Sequence, residues 1–425
     1  RRESVSVDER DDRSEEGKEF LRDPGDRVSD GWGVELGLRF EIKKPADAGF
    51  LTCSGRCLEC PNSKRFKWIW ALVVHSCRYI TSARTKVFDS SRKQMSPVDF
   101  CVRNHYVPEH YLKRWAAGTP KVWTYRLLVP HANVRSWKQH SIETIAKREH
   151  LYTRLRDGRD SDEMERWFSI DFESPANVVI EKILVGRAVS PTEWRRLARF
   201  VALQDVRTPA RMTEIVNRAA EYLPSMLEEV LEGAVKDLAM MPENRPALRI
   251  GEDSESVSIP ISMRTEFKPG ARTGKLILET IAGRAYWLYA IEMLLTKTVK
   301  CLEEHRWTVV RPPDGMKWLT SDNPVVKLNY YGDETFDLGG GWGRDGSEIF
   351  LPLSPDCLLY THVGRKPAFR RGEKLPNNIA VKIQCLIIKN AHRYIFSEDM
   401  DPDMCMLRPS VVDREIVRSE QKSWA

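Results

Sequence analysis

The apolar residues of this chain change period near Glu304, and that change limits the fold more than any other feature. From Asp162 to about Met241, and again from Lys275 to about Glu304, they recur at helical spacing, with Glu243 to Thr273 between them expected as a loop with one or two short strands; beyond Glu304 they alternate or gather in short blocks. The first pattern demands helices with one buried face, and the second demands strands. Helices followed by strands, rather than interleaved with them, predict an α+β fold: a largely helical body with an antiparallel β-sheet in the C-terminal portion.

Local signals place the elements. Pro108 suits the first turn of a short helix carrying Tyr111, Leu112 and Trp115 on one face, and Lys121 to Pro130 alternates as a half-buried strand. Ser141 to Tyr152 is expected as a polar connection or short helix. Ser190-Pro191-Thr192-Glu193 is a capping box with proline at the first helical position, followed by the stripe Trp194, Leu197, Ala198, Val201 and Ala202. Thr208-Pro209 bends or ends that helix, and Ile215 to Met241 forms another, stopped by Pro242. A long helix is predicted from Lys275 to Glu304 on Ile277, Ile281, Ala285, Leu288, Leu295, Val299 and Leu302. Trp307 to Arg311 and Met316 to Thr320 then suggest a hairpin about Pro312-Pro313-Asp314-Gly315. Val325 to Leu328, Glu348 to Leu353 and Leu358 to His362 continue the sheet, with Asn377 to Asn390 as a helix and Arg393 to Ser397 as a last strand. The glycine cluster from Gly339 to Gly343 lacks the Lys-Ser or Lys-Thr of a phosphate loop and is expected as a flexible hairpin loop.

All 12 methionines lie at Met95 or later, so residues 1–94 are expected as a non-native or disordered extension, and 95–425 as a single domain. Within it the helical part spans about 95–304 and the β-rich part about 305–400. Cys57-Leu58-Glu59-Cys60 has half of a zinc pattern, but His75 and Cys77 stand too close together to complete it, and no structural zinc is expected there.

The net charge of +6 is spread thinly, with 19 basic against 16 acidic residues up to Gln94 and 48 against 45 after it. Counterion release on nucleic acid needs a concentrated positive face, so charge does not support that partner. No apolar run reaches the roughly 18 residues of a membrane helix, and no secretory signal is visible. Cys101, Cys301, Cys357, Cys385 and Cys405 are odd in number and widely spaced, which fits reduced thiols in a cytoplasmic protein.

Four short motifs remain: His105-Tyr106-Val107-Pro108, Arg207-Thr208-Pro209, Ser321-Asp322-Asn323-Pro324 and Pro352-Leu353-Ser354-Pro355. Together they resemble the bacterial family catalogued as domain of unknown function 4238, from about His105 onward. The resemblance brings no activity with it. His105 precedes a helix N-terminus, where it suits a general base or a ligand for substrate phosphate or a metal, or a packed aromatic corner with Tyr106 and Trp115. Gln204, Arg207, Thr208 and Arg211 form a polar stripe; Arg207 has the planar fork that grips phosphate or carboxylate, or it braces the helix break. Asp322 and Asn323 cap a turn before proline, or Asp322 serves as a metal ligand or a base-orienting carboxylate with Asn323 binding substrate. Two functions follow. One is an intracellular hydrolase of a phosphodiester or nucleotide, with His105 and Asp322 catalytic and Gln204, Arg207 and Asn323 binding substrate. The other is a non-catalytic ligand-recognition or interaction protein, in a bacterial defence or regulatory system. No cofactor is specified.

Overall fold

The computed structural model describes residues 34–43, 101–156, 159–240, 261–267, 273–332 and 335–423. Of the 1–94 segment only Val34–Lys43 falls within it, and Cys57 and Cys60 lie outside the described residues.

A six-stranded sheet organises the molecule. Its order is Thr335–Asp337, Val326–Gly332, Glu348–Ser354, Cys357–His362, Trp307–Arg311 and Glu373–Lys374, antiparallel throughout except for the last pair. Successive side chains on a strand point to opposite faces, and here both faces are covered. Val309, Ile349, Leu351, Leu353 and Leu359 pack with the helical body, while Val310, Val326, Phe350, Leu358 and Tyr360 pack with Ala380, Ile383 and Ile387 of the helix Asn377–Asn390. Two-sided burial explains why these strands read as apolar blocks. The fold is α+β, as the change of period predicted.

The helical body starts with Glu163–Phe168, which runs through a π-turn, Ser169–Glu173, into Ser174–Leu184. Pro191–Val206 follows, capped as its sequence predicts: the Glu193 amide donates to Ser190 Oγ (3.3 Å) and the Ser190 amide to Glu193 Oε2 (2.7 Å). Arg207 and Thr208 separate it from Pro209–Met240. A four-stranded sheet, in the order Thr320–Ser321, Tyr394–Ser397, Lys121–Arg126 and Trp137–Ser141, joins strands from both ends of the chain. The stretches 95–304 and 305–400 therefore share hydrogen-bonded structure.

Three expectations differ from what is seen. Thr273–Ala282 is a strand between Ile261–Phe267 and Val34–Lys43, so the first third of the predicted long helix is extended. Adjacent Leu276, Ile277 and Leu278 with Thr280 and Ile281 favour a pleated surface, and Gly283 then takes the N-cap of Arg284–Met293. Trp307–Arg311 does not form a hairpin with Met316–Thr320. It pairs with Cys357–His362, while the Trp318 amide donates to Pro355 O (2.7 Å) and only Thr320–Ser321 is extended, in the other sheet. Ser141 to Tyr152 holds a short strand, Lys147–Glu149, paired with Arg103–His105. Among the described residues no helix is long and apolar enough to cross a membrane.

Candidate functional site

The four motifs meet, and Arg207 is the residue that ties two of them together. Its side chain is 0% exposed. Nε donates to Tyr106 O (3.0 Å), Nη2 to His105 O (2.7 Å) and Nη1 to Glu173, with the Phe168 ring 6.0 Å from the guanidinium carbon. The break after Val206 puts it there. Trp287 Nε1 donates to Val206 O (2.9 Å) and the Tyr152 hydroxyl to Arg207 O (2.7 Å), so the carbonyls freed at the helix end find partners. A buried charge needs its donors used, and this one spends them on two backbone carbonyls and a carboxylate.

The other motifs join through side chains that read backbone. Thr208 Oγ1 donates to Asn323 Oδ1 (3.1 Å), and Asn323 Nδ2 to Asn390 O (3.0 Å). Asn390 Nδ2 returns bonds to Asn323 O (2.7 Å) and Val325 O (3.0 Å), locking the end of its helix to the motif. Asp322 is 2% exposed; its Oδ1 accepts from the His392 amide (2.8 Å) and Oδ2 from the Arg393 amide (2.7 Å). Burial pushes this carboxyl up to about 6 against the lowering effect of those amides. Tyr111 donates its single proton to Pro352 O (2.6 Å) and so accepts from Thr320 Oγ1 (2.7 Å), while Trp115 Nε1 donates to Trp318 O (2.8 Å). The short helix opened by Pro108 is thus pinned to the strand exit at Pro352.

His105 is partly open, its side chain 17% exposed. Nε2 donates to Glu143 O (3.2 Å), leaving Nδ1 as an acceptor, and Glu109 Oε1 lies 3.7 Å away. Burial lowers its pKa, so the ring is neutral near pH 7. Beside it Glu165 is pushed up to about 7, chiefly by burial, against the Arg207 charge and the His105 amide. Gln204, a turn before Thr208, is 0% exposed, and neither Oε1 nor Nε2 has a hydrogen-bond partner. Leaving such groups unpaired costs about 1–3 kcal/mol each. No hydrogen bond or ion pair joins the His105 and Asp322 side chains among the described residues; Arg207 is bonded to His105, and Asn323 to Thr208.

A second buried cluster was not anticipated. Asp205 Oδ2 accepts from Lys327 Nζ (2.9 Å), Arg211 Nη2 (2.9 Å) and Trp342 Nε1 (2.7 Å). Lys327 belongs to the strand Val326–Gly332, and a lysine between Val325, Val326 and Leu328 was the available signal. Trp342 arrives on the glycine cluster, which is packed, with the Gly340 amide donating to Lys327 O (3.2 Å). A Cβ on Gly340 would lie 2.8 Å from the Lys327 carbonyl carbon, so only glycine allows this approach.

Among the described residues no three His, Cys, Asp or Glu side chains gather as a metal-binding group. A family model described as protein of unknown function (DUF4238) matches residues 103–401, a span that holds all four motifs and both buried clusters. No curated protein and no solved structure matches the chain. The chain belongs to the DUF4238 family.

Proposed function

We propose that this chain is a ligand-recognition protein in which the four motifs form the scaffold, rather than a hydrolase with His105 and Asp322 as its acid–base pair. One observation carries the reading: Arg207 is wholly buried with its donors given to His105 O, Tyr106 O and Glu173. A guanidinium so engaged has no fork to offer a phosphate. Asp322 and Asn323 support the same view, because their polar atoms hold His392, Arg393, Thr208 and Asn390.

A hydrolase of a phosphodiester or nucleotide keeps one specific support. His105 is neutral and partly open, and Glu165, whose carboxyl meets the His105 backbone amide, is pushed up to about 7, so two groups with acid–base capacity lie near one stretch of chain. One experiment decides between the two. Purified full-length protein is incubated with bis-p-nitrophenyl phosphate and the common nucleoside triphosphates, with and without Mg²⁺ or Mn²⁺, beside a His105→Ala variant. The recognition reading expects no turnover that depends on His105. Hydrolysis by the native protein that disappears in His105→Ala, at an unchanged melting temperature, overturns it.

A further inference from the structure

The helix Ser174–Leu184 and the turn after it approach the strand Trp307–Arg311, and a cleft of about 360 Å³ lies between them. Ile183, Val309 and Cys357 give it apolar surface, exposed Ala188 adds to the lining, and Arg311 and Arg371 bring two guanidiniums. No carboxylate lines it. Arg371 is held in place: Nη2 donates to Arg187 O, and its guanidinium carbon sits 5.8 Å from the Trp194 ring centre. Arg311 is exposed and pairs with no acid among the described residues.

A third guanidinium contributes from the interior. The Arg114 side chain is 8% exposed; Nη2 donates to Asn177 Oδ1 (2.5 Å) and Glu181 Oε1 (2.7 Å), while Nε and Nη1 have no hydrogen-bond partner. Its charge reaches the Cys357 thiol along with those of Arg311 and Arg371, against the opposing carboxylate of Asp356. Burial nonetheless pushes that thiol up to about 12, so it stays protonated and presents a soft apolar surface rather than a nucleophile.

Two guanidiniums and no carboxylate among the lining residues, set beside apolar surface in a partly enclosed cleft, are complementary to one kind of molecule. We propose that the cleft binds a small amphiphilic anion, its carboxylate or phosphate head between Arg311 and Arg371 and its apolar body against Ile183, Val309 and Cys357. Guanidinium forks match both heads, and the volume falls at the small end of the roughly 300–1,000 Å³ typical of ligand sites. This rests on the recognition reading and gives it a ligand class.

Isothermal titration of the full-length chain with hexanoate, phenyl phosphate and inorganic phosphate tests it. Saturable binding is expected for at least one amphiphilic anion, hexanoate marking a carboxylate site and phenyl phosphate a phosphate site. Inorganic phosphate should bind at least about tenfold more weakly, for want of an apolar body. Arg311→Ala should weaken binding by about tenfold or more. Ala188→Trp, which obstructs the cleft from an exposed position and leaves both arginines in place, should abolish it with the melting temperature unchanged. Absence of binding by both amphiphilic anions, equal binding by inorganic phosphate, or binding that survives Ala188→Trp overturns the proposal. The two readings fail separately: His105-dependent hydrolysis would remove the recognition reading without touching this titration, and a blank titration would remove the cleft without producing hydrolysis.

Discussion

Arg207 Nη2 donates to the carbonyl oxygen of His105 at 2.7 Å, across 102 positions of chain. The bond goes to backbone, and so does its neighbour from Nε to Tyr106 O. A side chain that reads carbonyls fixes where a segment runs. What it fixes is the entry to the short helix Glu109–Leu112, whose Tyr111 is bonded to Thr320 and Pro352. Arg207 thereby sets the position of one motif, and that motif sets the position of two others.

Asp322 makes the scaffold sensitive to pH. Its folded pKa, about 6, stands above the ordinary value of 3.8. The folded state therefore binds the proton more readily than the unfolded chain, and the associated stability is complete below about pH 4 and lost as pH rises through about 6. Asp322→Asn removes this titration and turns an amide donor toward the His392 or Arg393 amide. The native protein should gain roughly 1–1.5 kcal/mol over Asp322→Asn between pH 7 and pH 5, read by urea unfolding at each pH. A gap independent of pH would show that the carboxyl does not titrate as its burial implies.

The glycine cluster gives a prediction about packing. At Gly340 a methyl group would meet the Lys327 backbone at 2.8 Å, and backbone in mid-strand has little room to yield. Gly340→Ala should cost about 1–3 kcal/mol, the range for overpacking, and should shift Trp342 away from Asp205. Loss of stability together with a red shift of tryptophan emission is the expected pair of changes. An alanine variant as stable as the native protein would mean that the loop is loose.

Local chemistry was legible in the sequence where it sufficed. Ser190 and Glu193 cap each other, the first long helix ends before Pro209 as expected although the next begins at Pro209 rather than at Ile215, and Asn377–Asn390 is a helix over the span its sequence indicated. Thr273–Ala282 was not legible, because Ile277 and Ile281 stand four apart and fit a helical face as well as a strand. Only pairing with Ile261–Phe267 and Val34–Lys43, remote in sequence, reveals which. At the site, the positions of His105, Gln204, Arg207, Asp322 and Asn323 stood out as polar residues at breaks and termini. Their burial depends on long-range packing that no local spacing encodes, and Lys327 and Trp342 become partners of Asp205 only once the glycine loop folds back.

Urea unfolding of Arg207→Gln tests the scaffold most directly. Glutamine is shorter than arginine and uncharged, so Glu173 loses its arginine partner and the His105 and Tyr106 carbonyls lose their Arg207 donors inside the protein. Breaking a buried pair in this way costs about 3–5 kcal/mol, and the unfolding free energy should fall by that amount. A variant within about 0.5 kcal/mol of the native protein, the range of an ordinary surface substitution, would contradict a structural role for Arg207 and return it to the candidates for chemistry.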